Sequence, residues 1–280
     1  MLIASSCAHV MWSLPTEPPL KLNLLICLYN ETDERRVNEY IYCLEKNLKN
    51  PSIKKIHVSY DTSRDPKKRG TIHQWLQEHD IAISYIKNRQ TVGHCFRLAN
   101  RLFPDEYVIL SNADIWFDET LALLEERHMQ GKFFACSKYN EQRGAPTARK
   151  KGPLPSPYPK WTWSYSQDSW IFKTPFVVHP ILNQVYIGQI STEGPIVYAA
   201  ERMGLRVYDP RGTIHCIHEH RSHVRKRPSR SRYWGIVEFP RCTLEEITEQ
   251  KGAATFKPIY RLRIPKSFAT GVPRKKGTVS

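Results

Sequence analysis

The 280-residue chain lacks any apolar run near the roughly 20 residues that a membrane helix needs, so its composition argues against a spanning protein. It has seven cysteines but no CxxC pair. The odd count, set mostly in apolar strand or helix patterns, excludes a disulfide framework and a zinc ribbon. It reads as reduced thiols and an expected cytoplasmic setting. The glycine-rich GxGxxG and Walker signatures are absent, which weakens the dehydrogenase and P-loop readings of an α/β sheet. No internal repeat, helix-turn-helix, zinc-finger or RNP signature is present either. Acidic residues are the scarce charge, 27 against 42 basic, giving a formal net charge of +15.

That excess is uneven. From Arg221 to Ser280 there are 15 basic and 4 acidic residues, and a second basic patch runs from Arg143 to Lys160. Such clusters suit a phosphate-bearing ligand. Three classes fit: nucleic acid, a membrane surface, or a nucleoside diphosphate. A basic nucleic-acid-binding protein is therefore a standing alternative, weakened by the missing motifs.

What is present is alternation. Residues 1–20 carry Pro15, Pro18 and Pro19 and read as an arm. Leu22 to Leu28 has the length and apolar content of a buried strand. Asp33 then caps a helix from Glu34 to Leu48, with Val37, Ile41, Leu44 and Leu48 at helical spacing. Strands follow at 53–60, 81–86 and 107–110, with helices at 71–79 and 91–103 between them. This is the pattern of βαβ units, so the expected fold class is α/β, a mainly parallel central sheet with helices on both faces. Beyond residue 120 we expect a helix over 121–129, strands at 133–137, 170–172, 205–208 and 213–217, and a helix over 193–203. The expected division is an arm (1–20), one catalytic domain (21–240) and a C-terminal extension with a basic tail (241–280).

Ligands of such sheets bind at the carboxyl ends of the strands. Those ends carry Tyr29-Asn30, Asp61, Arg89 and Asn112-Ala113-Asp114. Asn112 and Asp114 stand at i and i+2, which on an extended chain points both oxygens to one side. Oxygen donors suit a hard divalent cation, Mg2+ or Mn2+. His218 and His220 also alternate, beside Arg221 and Arg225, which suit phosphate oxygens. Asp168 directly precedes an apolar aromatic stretch, and Trp161, Trp163 and Trp170 offer faces for sugar rings. Glu193 opens a helix, where the dipole favours its ionised form. Either carboxylate is a candidate base. Capping roles for Asp114 and Glu193, and core roles for the tryptophans, stay open at this point.

Together, Tyr29-Asn30-Glu31, Tyr60-Asp61, Asn112-Ala113-Asp114, Gln167-Asp168-Ser169-Trp170-Ile171-Phe172 and His218-x-His220-x-Ser222 resemble the glycosyltransferases of the GT-A fold over about residues 21–225. The resemblance implies nucleotide contacts at Tyr29, Asn30 and Asp61. It implies a DxD-like metal and diphosphate motif in which Asn112 replaces the first acid. It further implies a late metal ligand at His218 or His220, and an acidic base at Glu193, with Asp168 competing. The chain also resembles the small glycosyltransferases of large algal DNA viruses, one of which is a xylosyltransferase acting on a capsid glycan. The implied partners are a nucleotide-sugar donor, UDP-xylose by that closer likeness, and a glycan or glycoprotein acceptor, with no membrane insertion. A sugar nucleotidyltransferase is the other enzymatic alternative, without its usual Gly-rich first loop. The segments 139–160 and 219–232 are expected to close over the donor.

Overall fold

The computed structural model describes residues 18–63, 70–140, 167–189, 192–222, 224, 236–238, 242–253 and 255–257. The expected alternation is present. In chain order the elements are β1 (Leu22–Tyr29), α1 (Glu34–Leu48), β2 (Ile53–Asp61), α2 (Thr71–Glu78), β3 (Ala82–Ile86), α3 (Val92–Leu102) and β4 (Tyr107–Asn112). They continue with β5 (Ile115–Phe117), α4 (Glu126–Met129), β6 (Lys132–Asn140), β7 (Gln167–Lys173), α5 (Glu193–Arg202), β8 (Arg206–Tyr208) and β9 (Cys216–His218). Beyond them lie β10 (Ile236–Glu238), α6 (Leu244–Thr248) and β11 (Thr255–Lys257).

The main sheet runs β3-β2-β1-β4-β7-β6-β9-β5, with β8 also paired to β6. β3, β2, β1 and β4 are parallel neighbours. β7 enters antiparallel between β4 and β6. β5 and β9 pair antiparallel, and β9 runs parallel to the end of β6. The fold is thus mixed α/β with a mainly parallel sheet.

Alternation along β1 explains the layers. Leu22, Leu24, Ile26 and Leu28 join the core that α1 and α2 cover. Leu25 and Cys27 face the opposite core, built with α3 and α5. Helices therefore lie on both faces. Cys242, Leu244 and Ile247 pack into the first of these cores. Six cysteines are buried and free, and Cys7 lies outside the described residues. Among the described residues no helix is long and apolar enough to cross a membrane.

Two expected elements differ. The helix expected over 121–129 is split into a 3-10 turn at Glu119–Leu123 and the short α4. Leu124 and Glu125 between them are extended, and the Glu125 backbone N–H donates to His128 Nδ1 at 3.0 Å, which starts a new helix. The strand expected at 213–217 is shifted to Cys216–His218. Thr213 and Ile214 are held in a turn instead, both donating to the Pro210 carbonyl.

Candidate functional site

The site lies where β4 ends. Five parallel pairings set β4 beside β1, up to Cys27 opposite Asn112. The chain turns at Ala113-Asp114 and enters β5 at once. That turn corrects the expectation that Asn112 and Asp114 face one common ion. Their side chains bond different partners.

Asp114 is the centre of the first cluster. Its Oδ2 accepts from His218 Nε2 at 3.1 Å and from Arg36 Nη2 at 2.9 Å. The Asp114, His218 and Arg36 side chains are 14%, 8% and 11% exposed. Burial alone would raise the Asp114 pKa. The His218 bond and the Arg36 charge outweigh it and hold the carboxyl far below the usual carboxylate range. His218 and His220 stack at 5.4 Å between ring centroids. One donor atom each from Asp114, His218 and His220 lies within 4.8 Å of the others. A carboxylate oxygen and two imidazole nitrogens at that spacing could hold a metal ion.

Asn112 leads to the second cluster. Its Nδ2 donates to Asp168 Oδ1 at 2.8 Å. The other Asp168 oxygen pairs with Lys138 Nζ at 2.9 Å. Lys138 lies on β6 and Asp168 on the adjacent β7, at the register shift where Cys136 faces Ser169 and Ser137 faces Gln167. Glu193, at the first position of α5, is partly buried and feels both charges. Burial pushes its pKa up to about 7, the Asp168 charge adds to that, and Lys138 opposes it. The helix dipole was expected to keep this carboxyl ionised. Burial wins over that modest effect, as its desolvation cost requires.

The other expected contacts are distributed around the strand ends. Tyr29 Oη donates to Glu31 Oε2 at 2.8 Å and its ring meets Tyr40 edge-on. Asn30 Oδ1 accepts from the Gly70 backbone N–H at 3.1 Å, where α2 begins. A Cβ on Gly70 would fall 2.5 Å from that oxygen and push the Asn30 amide aside. Asp61, next to Tyr29 across the β1–β2 pairing, accepts from the Ser63 N–H. Arg89 stacks on Tyr186 and donates to the Ile187 carbonyl. Arg221 pairs with Glu219 and lies over the Tyr42 ring. Arg225, Trp161 and Trp163 lie outside the described residues, as do most of the two segments expected to close over the site.

Sequence reasoning missed Arg36, Glu39, Tyr40 and Lys138. Arg36 bonds Asp114 and Tyr40 Oη through Nη2, and Glu39 and His220 Nδ1 through Nη1. A signal was available. Arg35 and Arg36 sit in the first turn of α1, where the dipole disfavours cations. Cations there call for carboxylate partners, and these are Asp33 and Asp114. The segment after β9 is fastened to the same place. The Glu219 N–H donates to the Asp114 carbonyl, and the Ser222 N–H to Glu39 Oε1.

No protein-family model matches the chain, and no curated protein matches its sequence. Several solved structures resemble it. The mannosyltransferase PcManGT from Pyrobaculum calidifontis, in complex with GDP-Man and Mn2+, superposes at a TM-score of 0.42 with 16% identity. That match covers 74% of this chain and 59% of the mannosyltransferase. TarS 1-349 from S. aureus, in complex with UDP-GlcNAc, gives a TM-score of 0.43 with 15% identity, covering 73% of this chain and 60% of TarS 1-349. The inositol-1-phosphate CTP transferase from T. maritima gives 0.44 with 10% identity, covering 75% of this chain and 94% of that one. The chain thus spans about three-fifths of the mannosyltransferase and of TarS 1-349. At these scores the likenesses say nothing about chemistry, which has to come from the side chains.

Proposed function

We propose that the chain is a glycosyltransferase. It moves a sugar from a nucleoside diphosphate sugar to a hydroxyl of a glycan or glycoprotein acceptor, with inversion at the anomeric carbon. One observation carries this reading: from one strand end, Asn112-Ala113-Asp114 reaches two carboxylate clusters, Asp114 with His218 and Arg36, and Asp168 bonded to Asn112. Asp114 is held ionised by His218 and Arg36, while Glu193 is pushed up to about 7 beside Asp168, the partner of Asn112. Carboxylates whose environments drive their pKa values apart are the mark of divided roles in catalysis.

Asp114, His218 and His220 would hold a divalent cation, Mn2+ or Mg2+, the two imidazole nitrogens suiting Mg2+ less well because it takes oxygen ligands. When bound, that cation supplies charge neutralisation for the departing diphosphate. Tyr29, Asn30 and Asp61 cradle the nucleoside at the ends of β1 and β2. Ala113 would let the diphosphate approach the turn, and Arg89 and Arg221 would supply cations for its charge, as would Arg225, which is assigned this role from the sequence alone. Glu193 takes the proton from the acceptor hydroxyl, since a base near pKa 7 is matched to neutral pH. Asp168 orients the acceptor, because both its oxygens already accept from fixed donors, Asn112 and Lys138. The donor is a UDP-sugar, UDP-xylose first among them.

Calorimetry with UDP and Mn2+ tests the site. The intact protein should bind UDP more tightly with Mn2+ than without it, and Asp114→Ala should lose that gain while keeping its circular dichroism. Equal metal dependence in both proteins would remove Asp114 from the site.

A further inference from the structure

The Asp114 cluster already contains a cation. Arg36 reaches it from the first turn of α1 and divides its two terminal nitrogens between the groups that would ligate a metal. Nη2 bonds Asp114 Oδ2 at 2.9 Å and Nη1 bonds His220 Nδ1 at 2.9 Å. A guanidinium only donates, so Nδ1 of His220 is the acceptor and its lone pair is engaged. Glu39 and the Tyr40 hydroxyl hold the same guanidinium from behind, and its carbon lies 4.8 Å from the Tyr40 ring centre. With four partners and 11% exposure, this is a fixed charge.

We propose that Arg36 guards the metal cluster as a resident cation, so that a divalent ion binds well only when Arg36 is released from Asp114 and His220. The inference rests on the metal reading given above and deepens it. Two arguments support exclusion. Arg36 engages His220 Nδ1 and Asp114 Oδ2, and a lone pair so engaged cannot serve a guanidinium and a metal in full at once. Moreover, a +1 and a +2 charge inside one cluster under 5 Å across repel strongly where water is scarce. Arg36 has somewhere to go. Glu39 stays on the same helix turn as a partner, and a diphosphate oxygen is a better match for a guanidinium fork than an imidazole nitrogen. Metal and diphosphate would then load together: the phosphate draws Arg36 off, and the vacated donors take the ion. This makes Arg36 a positioning residue for the donor complex.

The test uses Mn2+ alone, without nucleotide, followed by its paramagnetic resonance signal. The parent protein is compared with Arg36→Gln and with Arg36→Met, which keeps the aliphatic stem over Tyr40. Both variants should bind Mn2+ at least ten-fold more tightly than the parent. Unchanged or weaker binding overturns the guard while leaving the metal site standing. No Mn2+ binding by any of the three proteins overturns the metal reading and this inference with it. If neither variant folds, the parent protein labelled with 15N in its arginine side chains gives the answer. Its slowly exchanging Arg36 guanidinium signals should vanish as diamagnetic Mg2+ saturates the site, and their persistence at saturation overturns the proposal.

Discussion

A single carboxylate illustrates how the site works. Glu193 is an acid that burial makes weaker, up to about 7, with the Asp168 charge reinforcing the effect. A base must be deprotonated to act. Transfer should therefore rise with pH through about 7 and level off above it. Glu193→Gln should lower turnover roughly 10²–10⁴-fold while donor binding persists. Asp168→Asn should raise the acceptor KM before it lowers kcat, because its oxygens are held by Asn112 and Lys138. Steady-state kinetics against pH separates the two. A normal rate in Glu193→Gln with a dead Asp168→Asn would reverse the assignment. The places of both carboxylates in the fold were legible in the sequence, because an acid before an aromatic strand and an acid opening a helix are conspicuous. Their pKa values were not legible, since they depend on Lys138 and on burial that only packing creates.

Elements position these residues through buried amides. Asn47, at the far end of α1, is fully buried, and its Nδ2 donates to the Ile115 carbonyl at 2.9 Å. Its Oδ1 accepts from the Phe117 N–H at 3.1 Å, so the whole of β5 is hung on α1. Asp114 immediately precedes β5, and Arg36 rides on α1. Asn47→Leu would leave two buried backbone groups unpaired, at a cost of about 2–4 kcal/mol. Urea unfolding measures this, and a loss below about 0.5 kcal/mol would contradict it. The same amide explains a partial misreading of α1. Spacing predicts an inward face of Val37, Ile41, Leu44 and Leu48. In the fold Leu48 is 44% exposed, Ile41 is half-buried, and Tyr40, Cys43 and Asn47 are inside. Polar residues with buried partners rotate the face, and those partners lie 68 or more positions away in sequence. The parallel half of the sheet was readable because each βα repeat carries its own signal. The second half was less so, since short strands such as β5, β8 and β9 exist only through long-range pairing.

At the scale of the whole molecule, buried titratable groups couple stability to pH in opposite senses. His57 is buried, donor or acceptor to Ser84 Oγ at 2.8 Å and edge-on to Phe103. Burial, with help from Lys55 and Arg101, pushes its pKa down from 6.5 to about 4. The unfolded chain takes up that proton below about 6.5 and the native chain does not. The stability His57 confers is thus complete above 6.5 and is lost as pH falls toward 4. Glu193 works the other way, since the native form binds its proton from about 7 downward and the unfolded form only near 4.5. The stability difference between the parent and His57→Gln isolates the histidine. It should shift against the parent by about 2–3 kcal/mol between pH 7 and pH 4. A pH-independent difference would show that His57 titrates normally.

In the proposed function, Asp114 and Glu193 serve one reaction, the transfer of a sugar from a nucleoside diphosphate sugar. The most direct measurement is a panel of UDP-sugars, UDP-xylose included, incubated with the protein and Mn2+, with release of UDP followed over time. The account predicts UDP release from at least one donor. It predicts loss of that release in Asp114→Ala and a drop of roughly 10²–10⁴-fold in acceptor-dependent release in Glu193→Gln. Release that is absent from every nucleotide sugar, or that survives both substitutions at the parent rate, would contradict it.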